Sequence, residues 1–150
     1  MSGDEVTDGT DPNDPCDLTL ANQTVAPNTA WNNADCDGDG VTNGTEVTDG
    51  SDPNNPCDYT VASQTGTPNA AWNSADCDGD GVTNGDEITD GTDPLNPCEL
   101  LTGSVTQPTG SIWNNADCDG DGVTKAHELK DVTDQTNPDT DGDGVTDGRE

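Results

Sequence analysis

Apolar residues are sparse along this chain and fall in runs too short to sustain the period of a helix or a strand. Three insertions carry brief β-prone runs, such as Leu18 to Leu20 and Thr24 to Ala26 in the first, followed by Pro27 and a Trp. Each is expected to form a small hairpin or Ω-like excursion. Between them stand runs such as VTDGSDPNNP and ITDGTDPLNP, where Gly and Pro oppose helix; only Lys125 to Asp131, KAHELKD, has helical character. No stretch approaches the roughly 20 apolar residues of a transmembrane helix, and Met1 to Val6 has no signal-peptide character.

Composition sharpens this picture. Hydrophobic residues make up 26% of the 150, the aromatics are Trp31, Trp72, Trp113 and Tyr59, and 32 acidic side chains face 3 basic ones, for a formal charge of −29. Apolar burial alone cannot offset the entropy of ordering such a backbone, so composition by itself describes a disordered chain. Two regularities oppose that reading: the acids recur at fixed spacings, and so do the six cysteines. Divalent cations and disulfides are then the candidate sources of stability, which points outside the cell, where calcium is plentiful and thiols oxidise. Nucleic acid is excluded as a partner, because phosphate contacts need clustered Lys and Arg.

Cys16, Cys57 and Cys98, and in a second register Cys36, Cys77 and Cys118, recur every 41 residues. The expected organisation is a partial repeat over 1–34 (connector plus insertion), repeat 1 over 35–75, repeat 2 over 76–116, a short repeat 3 over 117–138 and the start of a fourth over 139–150. Gly3 to Cys16 aligns with Gly44 to Cys57, so the segment reads as a window on a longer array.

Four loops match the EF-hand pattern D-x-[DN]-x-[DN]-G-x5-E. In the first, Asp35, Asp37 and Asp39 offer side-chain oxygens, Gly40 makes the turn, Val41 offers its carbonyl, Asn43 stands at position nine and Glu46 closes the loop as a bidentate ligand. The second repeats this with Asp76, Asp78, Asp80, Val82, Asn84 and Glu87, and the fourth with Asp139, Asp141, Asp143, Val145, Asp147 and Glu150. In the third, Asp117, Asp119, Asp121, Val123 and Glu128 keep the pattern, but Lys125 takes position nine, so this site is expected to be weakened or completed from elsewhere. Hard oxygen ligands in this number suit Ca2+ better than zinc, which favours Cys and His, or magnesium, with its strict octahedron. About one ion per loop is expected. Crowded carboxylates repel one another without a cation, so metal binding should itself be folding free energy.

A second set of acids follows each closing Glu: Asp8 and Asp11, Asp49 and Asp52, Asp90 and Asp93, Asp131 and Asp134. These are candidates for additional metal ligation or, equally, for turn residues before Pro. Six cysteines alone allow many pairings, but comparison within the chain narrows them. After Glu128 the connector runs Asn137, Pro138, Asp139, Thr140, Asp141, losing both cysteines and the insertion together. The simplest explanation pairs Cys16 with Cys36, Cys57 with Cys77 and Cys98 with Cys118. A closed loop of about twenty residues gains roughly 3 kcal/mol in the chain-entropy model. The alternative, Cys36 with Cys57 and onward, would strand Cys16 and Cys118. One Trp per insertion reads as a miniature core or as a stacking platform for a sugar or neighbouring chain. His127 has no nucleophile or second His arranged around it, and the sequons at Asn22 and Asn43 matter only where the host glycosylates them.

TDGTDPLNP and DTDGDGVTDGRE resemble the bacterial form of the thrombospondin type 3 calcium repeat. The resemblance implies calcium-wrapping DxDxDG loops in a fold with few regular secondary structures, here a tandem calcium-loop array forming an extended rod with short disulfide-closed, β-hairpin-like insertions. Such arrays recur in large surface adhesins of Bacteroidota, including those exported by the type 9 secretion system for gliding motility. The expected function is therefore a calcium-rigidified stalk or filament segment of a secreted, extracellular, cell-surface adhesin, with neighbouring copies in a fibre or surface glycans as further partners. The alternatives are a dockerin-like calcium-dependent protein-binding module and an acidic calcium store. No constellation of acid, base and open metal position supports an enzyme.

Overall fold

The computed structural model describes residues 11, 14–17, 21 and 26–149. Two compact units divide the chain, Met1–Trp72 and Asn73–Glu150. Six short α-helices are described: α1 (Thr29–Asn32), α2 (Asn43–Asp49), α3 (Ala70–Asn73), α4 (Asn84–Asp90), α5 (Ser111–Asn115) and α6 (Lys125–Asp131). Three-residue 3-10 turns lie at Val61–Ser63, Thr102–Ser104 and Asp147–Arg149. Among the described residues there is no strand.

Two local expectations change. Two seven-residue helices, α2 and α4, lie just before the Gly- and Pro-rich runs and extend three residues into them. Gly50 and Gly91 sit at the helix ends in the left-handed region, φ 86° and 80°, with their amides on the Glu46 and Glu87 carbonyls. They are caps, a position where Gly is favoured, and the Pro residues lie beyond them. In α6 the same place is held by Val132 at φ 67°, a β-branched residue in a conformation that crowds its Cβ.

The insertion expectation changes as well. In the second and third insertions a 3-10 turn leads into a Trp-bearing helix, with no hairpin. Several of their amides bond back onto the preceding acidic loop, so the insertion does not form a ladder with itself. In the first insertion, Leu18 to Leu20 and most of Thr24 to Ala26 lie outside the described residues.

Cys16 is bonded to Cys36, with Cα atoms 5.2 Å apart, and Cys98 to Cys118, at 5.5 Å. Cys57 and Cys77 are also disulfide-bonded, and no cysteine is free. The alternative Cys36–Cys57 pairing is not adopted.

The interior is as polar as it is apolar. The first unit buries Trp31, Val41, Tyr59 and Trp72 beside Asp39, Asn43 and Glu46. Tyr59 meets Trp72 edge-on with ring centroids 6.0 Å apart. The second buries Val82 and Trp113 beside Asp78, Asp80, Asn84, Glu87, Lys125 and Glu128. All three Trp rings are thus core, and none is offered as an open platform. α1 packs on α2 and α5 on α6; a Cβ on Gly44 would stand 3.0 Å from Asn32, so only Gly lets the first pair approach this closely. α1 and α5 therefore hold the helices that close the first and third acidic loops.

Candidate metal centres

Each loop is shaped by its own aspartates. Asp35 accepts the Gly38 amide on Oδ1 (2.7 Å) and the Gly40 amide on Oδ2 (3.0 Å), while Asp39 Oδ1 accepts the Val41 amide (2.7 Å). The same bonds recur from Asp76 and Asp80, from Asp117 and Asp121, and from Asp139 and Asp143. The chain turns back at Gly38 and Gly40, φ 82° and 91°, values that favour glycine. The result in all four loops is a trio of carboxylates whose ligand atoms lie within 4.8 Å of one another.

Asp37 Oδ1 likewise accepts the Asp39 amide (3.3 Å), so the third- and fifth-position acids use one oxygen in these bonds and leave the other. In the first loop Asp37 Oδ2, Asp39 Oδ2 and both Glu46 oxygens are buried without a protein partner. In the second loop the same is true of Asp78 Oδ2, Asp80 Oδ2 and both oxygens of Glu87. In the third loop Asp119 Oδ2 and both Glu128 oxygens are left so, whereas Asp121 Oδ2 accepts the Gly148 amide at 2.7 Å. Burying carboxylate oxygens with nothing to pair them is costly unless they coordinate a metal.

The electrostatics carry that cost. Desolvation, followed by the charges of Asp37, Asp39, Asp35 and Asp52, pushes the Glu46 carboxyl up to about 8. Glu87 also reaches about 8, by desolvation and then Asp78, Asp80, Asp76 and Asp93. Burial likewise lifts Asp39 to about 6 and Asp78 to about 7 and raises Asp37, Asp80, Asp119 and Glu128. A hard divalent cation bound there would neutralise these groups and take their unpaired oxygens as ligands.

The profile of the bacterial TSP3 repeat matches residues 3–15, 35–56, 76–97 and 139–150. These four segments, just under half of the chain, are similar to the bacterial thrombospondin type 3 repeat. The family is a structural calcium-binding repeat, not an enzymatic one, and the aspartate clusters have the chemistry to hold its ion. The match omits the loop with Lys125, residues 117–128, although its backbone follows the TSP3 loops bond for bond. No curated protein and no solved structure matches the chain. Disulfides and TSP3 repeats together point to an extracellular protein, and among the described residues no helix is long and apolar enough to cross a membrane.

Position nine of these TSP3 loops has a role the sequence did not reveal. Asn43 is fully buried; its Oδ1 accepts the Cys36 amide (3.1 Å), and its Nδ2 donates to the Trp31 carbonyl (3.0 Å) and to Cys36 Sγ. Asn84 holds the Cys77 amide, and Asp147 the Thr140 amide, in the same way. The residue is a staple between loop and Trp helix, with its acceptor already engaged. Lys125 cannot accept an amide. Its Nζ instead donates to the Pro97 carbonyl (3.0 Å) and lies 5.0 Å from the Trp113 ring centre, so it substitutes one staple for another.

The second set of acids divides. Asp49 Oδ2 accepts the Ser63 hydroxyl at 2.5 Å, and Asp90 Oδ2 takes that of Ser104, so these two tether the next insertion. Asp52 and Asp93 receive the Asn54 and Leu95 amides in turns, and their charges act on Glu46 and Glu87. Asp134 caps its own turn through Thr136, and Asp131 ends α6 exposed. Asp11 donates its amide to Asp17; Asp8 and Glu150 lie outside the described residues.

Proposed function

We infer that this segment is a calcium-rigidified spacer in a stalk or filament of a secreted cell-surface adhesin, with about one ion per loop. The observation that carries the reading is the buried, unpartnered carboxylate oxygens of the first, second and third loops, with the closing Glu46 and Glu87 pushed up to about 8. The ligand sets are Asp35, Asp37, Asp39, the Val41 carbonyl and Glu46; Asp76, Asp78, Asp80, the Val82 carbonyl and Glu87; Asp117, Asp119, Asp121, the Val123 carbonyl and Glu128; and Asp139, Asp141, Asp143, the Val145 carbonyl and Glu150. Asp52 and Asp93 lend charge to the first two. With so small an apolar core, ion binding supplies folding free energy to each repeat, and stiffness follows from repetition.

Small-angle X-ray scattering on the oxidised segment, with calcium and after its removal at constant ionic strength, tests this. Calcium should convert an expanded coil into a defined rod; a coil that persists in excess calcium would leave a disordered acidic store as the better account.

One observation favours a second reading, a protein-docking role. The loop-closing helices carry an exposed apolar residue at one register, Val47, Ile88 and Leu129, each about half exposed. Substituting all three with Asp should leave the scattering rod intact and abolish partner capture or lateral association if that face docks.

A further inference from the structure

The 41-residue register holds for the bonds that the insertions make. Gly66 donates its amide to the Gly40 carbonyl (2.8 Å) and Asn69 to Gly38 (2.8 Å); one repeat later Gln107 donates to Gly81 (2.9 Å) and Gly110 to Gly79 (2.6 Å). Gln64 Nε2 adds a bond to the Asp39 carbonyl (2.6 Å), and the Thr106 amide a second to Gly81 (2.8 Å). The side chains differ between the two copies, but the same backbone positions meet. The second and third insertions therefore each lie across the acidic loop before them.

The glycines of the loops register this contact. A Cβ on Gly38 would strike Asn69, one on Gly40 would meet Gly66 and Gln64, one on Gly79 would meet Gly110, and one on Gly81 would strike the Gln107 carbonyl. At the matching Gly120 and Gly122 of the third loop nothing stands within 4 Å, and the loop is met instead at Asp121 by Gly148 of the next turn. Asp39 and Asp80 are fully buried, and Asp121, in the same place of the third loop, is only half-buried. The third loop is also the one whose connector runs into the next loop with no insertion.

We propose that the disulfide-closed insertions are covers that make the first and second loops closed calcium sites with slow release, while the third loop, which no insertion covers and which Gly148 meets through a single amide, exchanges its ion faster. This rests on the reading that the loops hold calcium. Release from a covered loop requires the cover to lift. Each hydrogen bond contributes a factor of about five to that equilibrium, so three slow release on the order of a hundredfold. Ser63 on Asp49 and Ser104 on Asp90 hold the start of each cover, and the Cys98–Cys118 bridge holds both ends of the third insertion together.

The test is calcium release from the intact oxidised segment, mixed rapidly with a fluorescent chelator, alongside a calorimetric calcium titration that counts bound ions. Two equivalents should leave slowly and the rest fast. Removing Cys98 to Ala116 with Cys118→Thr reproduces the Asn137–Asp141 junction and should convert one slow equivalent to fast. Gln64→Ala, on the cover of the first loop, removes only the side-chain bond to the Asp39 carbonyl and should speed one slow phase by about fivefold without unfolding the insertion. A single release rate for every bound ion, or slow phases that both variants leave untouched, would overturn the cover while the calcium reading stands. A titration with no saturable binding would remove both.

Discussion

Calcium removal should leave a protein whose stability falls as pH rises. With only protein groups around it, the Glu46 carboxyl moves from its ordinary 4.5 up to about 8, and Glu87 moves as far. A carboxyl raised in this way keeps its proton in the folded chain after the unfolded chain has lost it. The stability it contributes is complete below the ordinary value and is lost as pH climbs through the raised one. At about pH 7 the full linkage is about 3 kcal/mol for each such Glu, which water screening around these thinly covered loops reduces to about 2 kcal/mol. For a domain whose total stability is about 5–15 kcal/mol, two loops bring the metal-free chain close to unfolding at neutral pH. With calcium the slope reverses, because the ion takes the deprotonated oxygens and protons compete for them in acid. Urea titrations read by the emission of the buried Trp31, Trp72 and Trp113, at about pH 5 and about pH 7.5, with calcium or after exhaustive dialysis against a resin, follow both slopes. Glu46→Gln isolates the group: it should stabilise the metal-free protein at neutral pH by about 2 kcal/mol and destabilise the calcium-loaded one. The reasoning is refuted by a metal-free stability that rises from about pH 5 to about pH 7.5, or by a Gln variant that shifts both conditions in the same direction.

Four further substitutions probe the remaining contacts. Val132→Gly should stabilise the second unit by about 1 kcal/mol in a thermal melt, because it relieves a β-branched side chain at φ 67°, and Gly91→Val should lose a similar amount. Asn43→Ala leaves the Cys36 amide and the Trp31 carbonyl without their partner and should cost about 2–4 kcal/mol, with the count of bound calcium unchanged in a titration. Were the count to fall by one at full folding, Asn43 would be a ligand and the staple reading wrong. Lys125→Met removes the bond to Pro97 and the contact with Trp113, costing about 1–3 kcal/mol, and should tighten calcium at the second loop, since the lysine charge acts on Asp80 and Asp78.

The loops were legible in the sequence because their bonds are local. An aspartate that binds amides three and five residues on, with glycines at the two turning points, leaves its whole geometry in twelve consecutive letters. The loss of both cysteines and the insertion after Glu128 pointed to closure of each insertion at its base. Helices α2 and α4 were missed because propensity weighs Gly and Pro against helix wherever they stand, while Gly50 and Gly91 occupy the one position where glycine ends a helix favourably.

Asn43 matched a ligand pattern letter for letter, and only its neighbours showed that its side chain faces Trp31 and Cys36. The covers left still less trace. They are made of backbone amides meeting backbone carbonyls across more than twenty residues, and a backbone group carries no side-chain signature, so Gly66 and Gln107, or Asn69 and Gly110, perform the same act with unrelated letters. The sequence by itself determined where carboxylates gather and which cation suits them, since those depend on near neighbours along the chain. Which oxygens end up buried and unpaired, and which loops are covered, was decided by the tertiary structure, because burial is a property of whatever segment comes to lie on top.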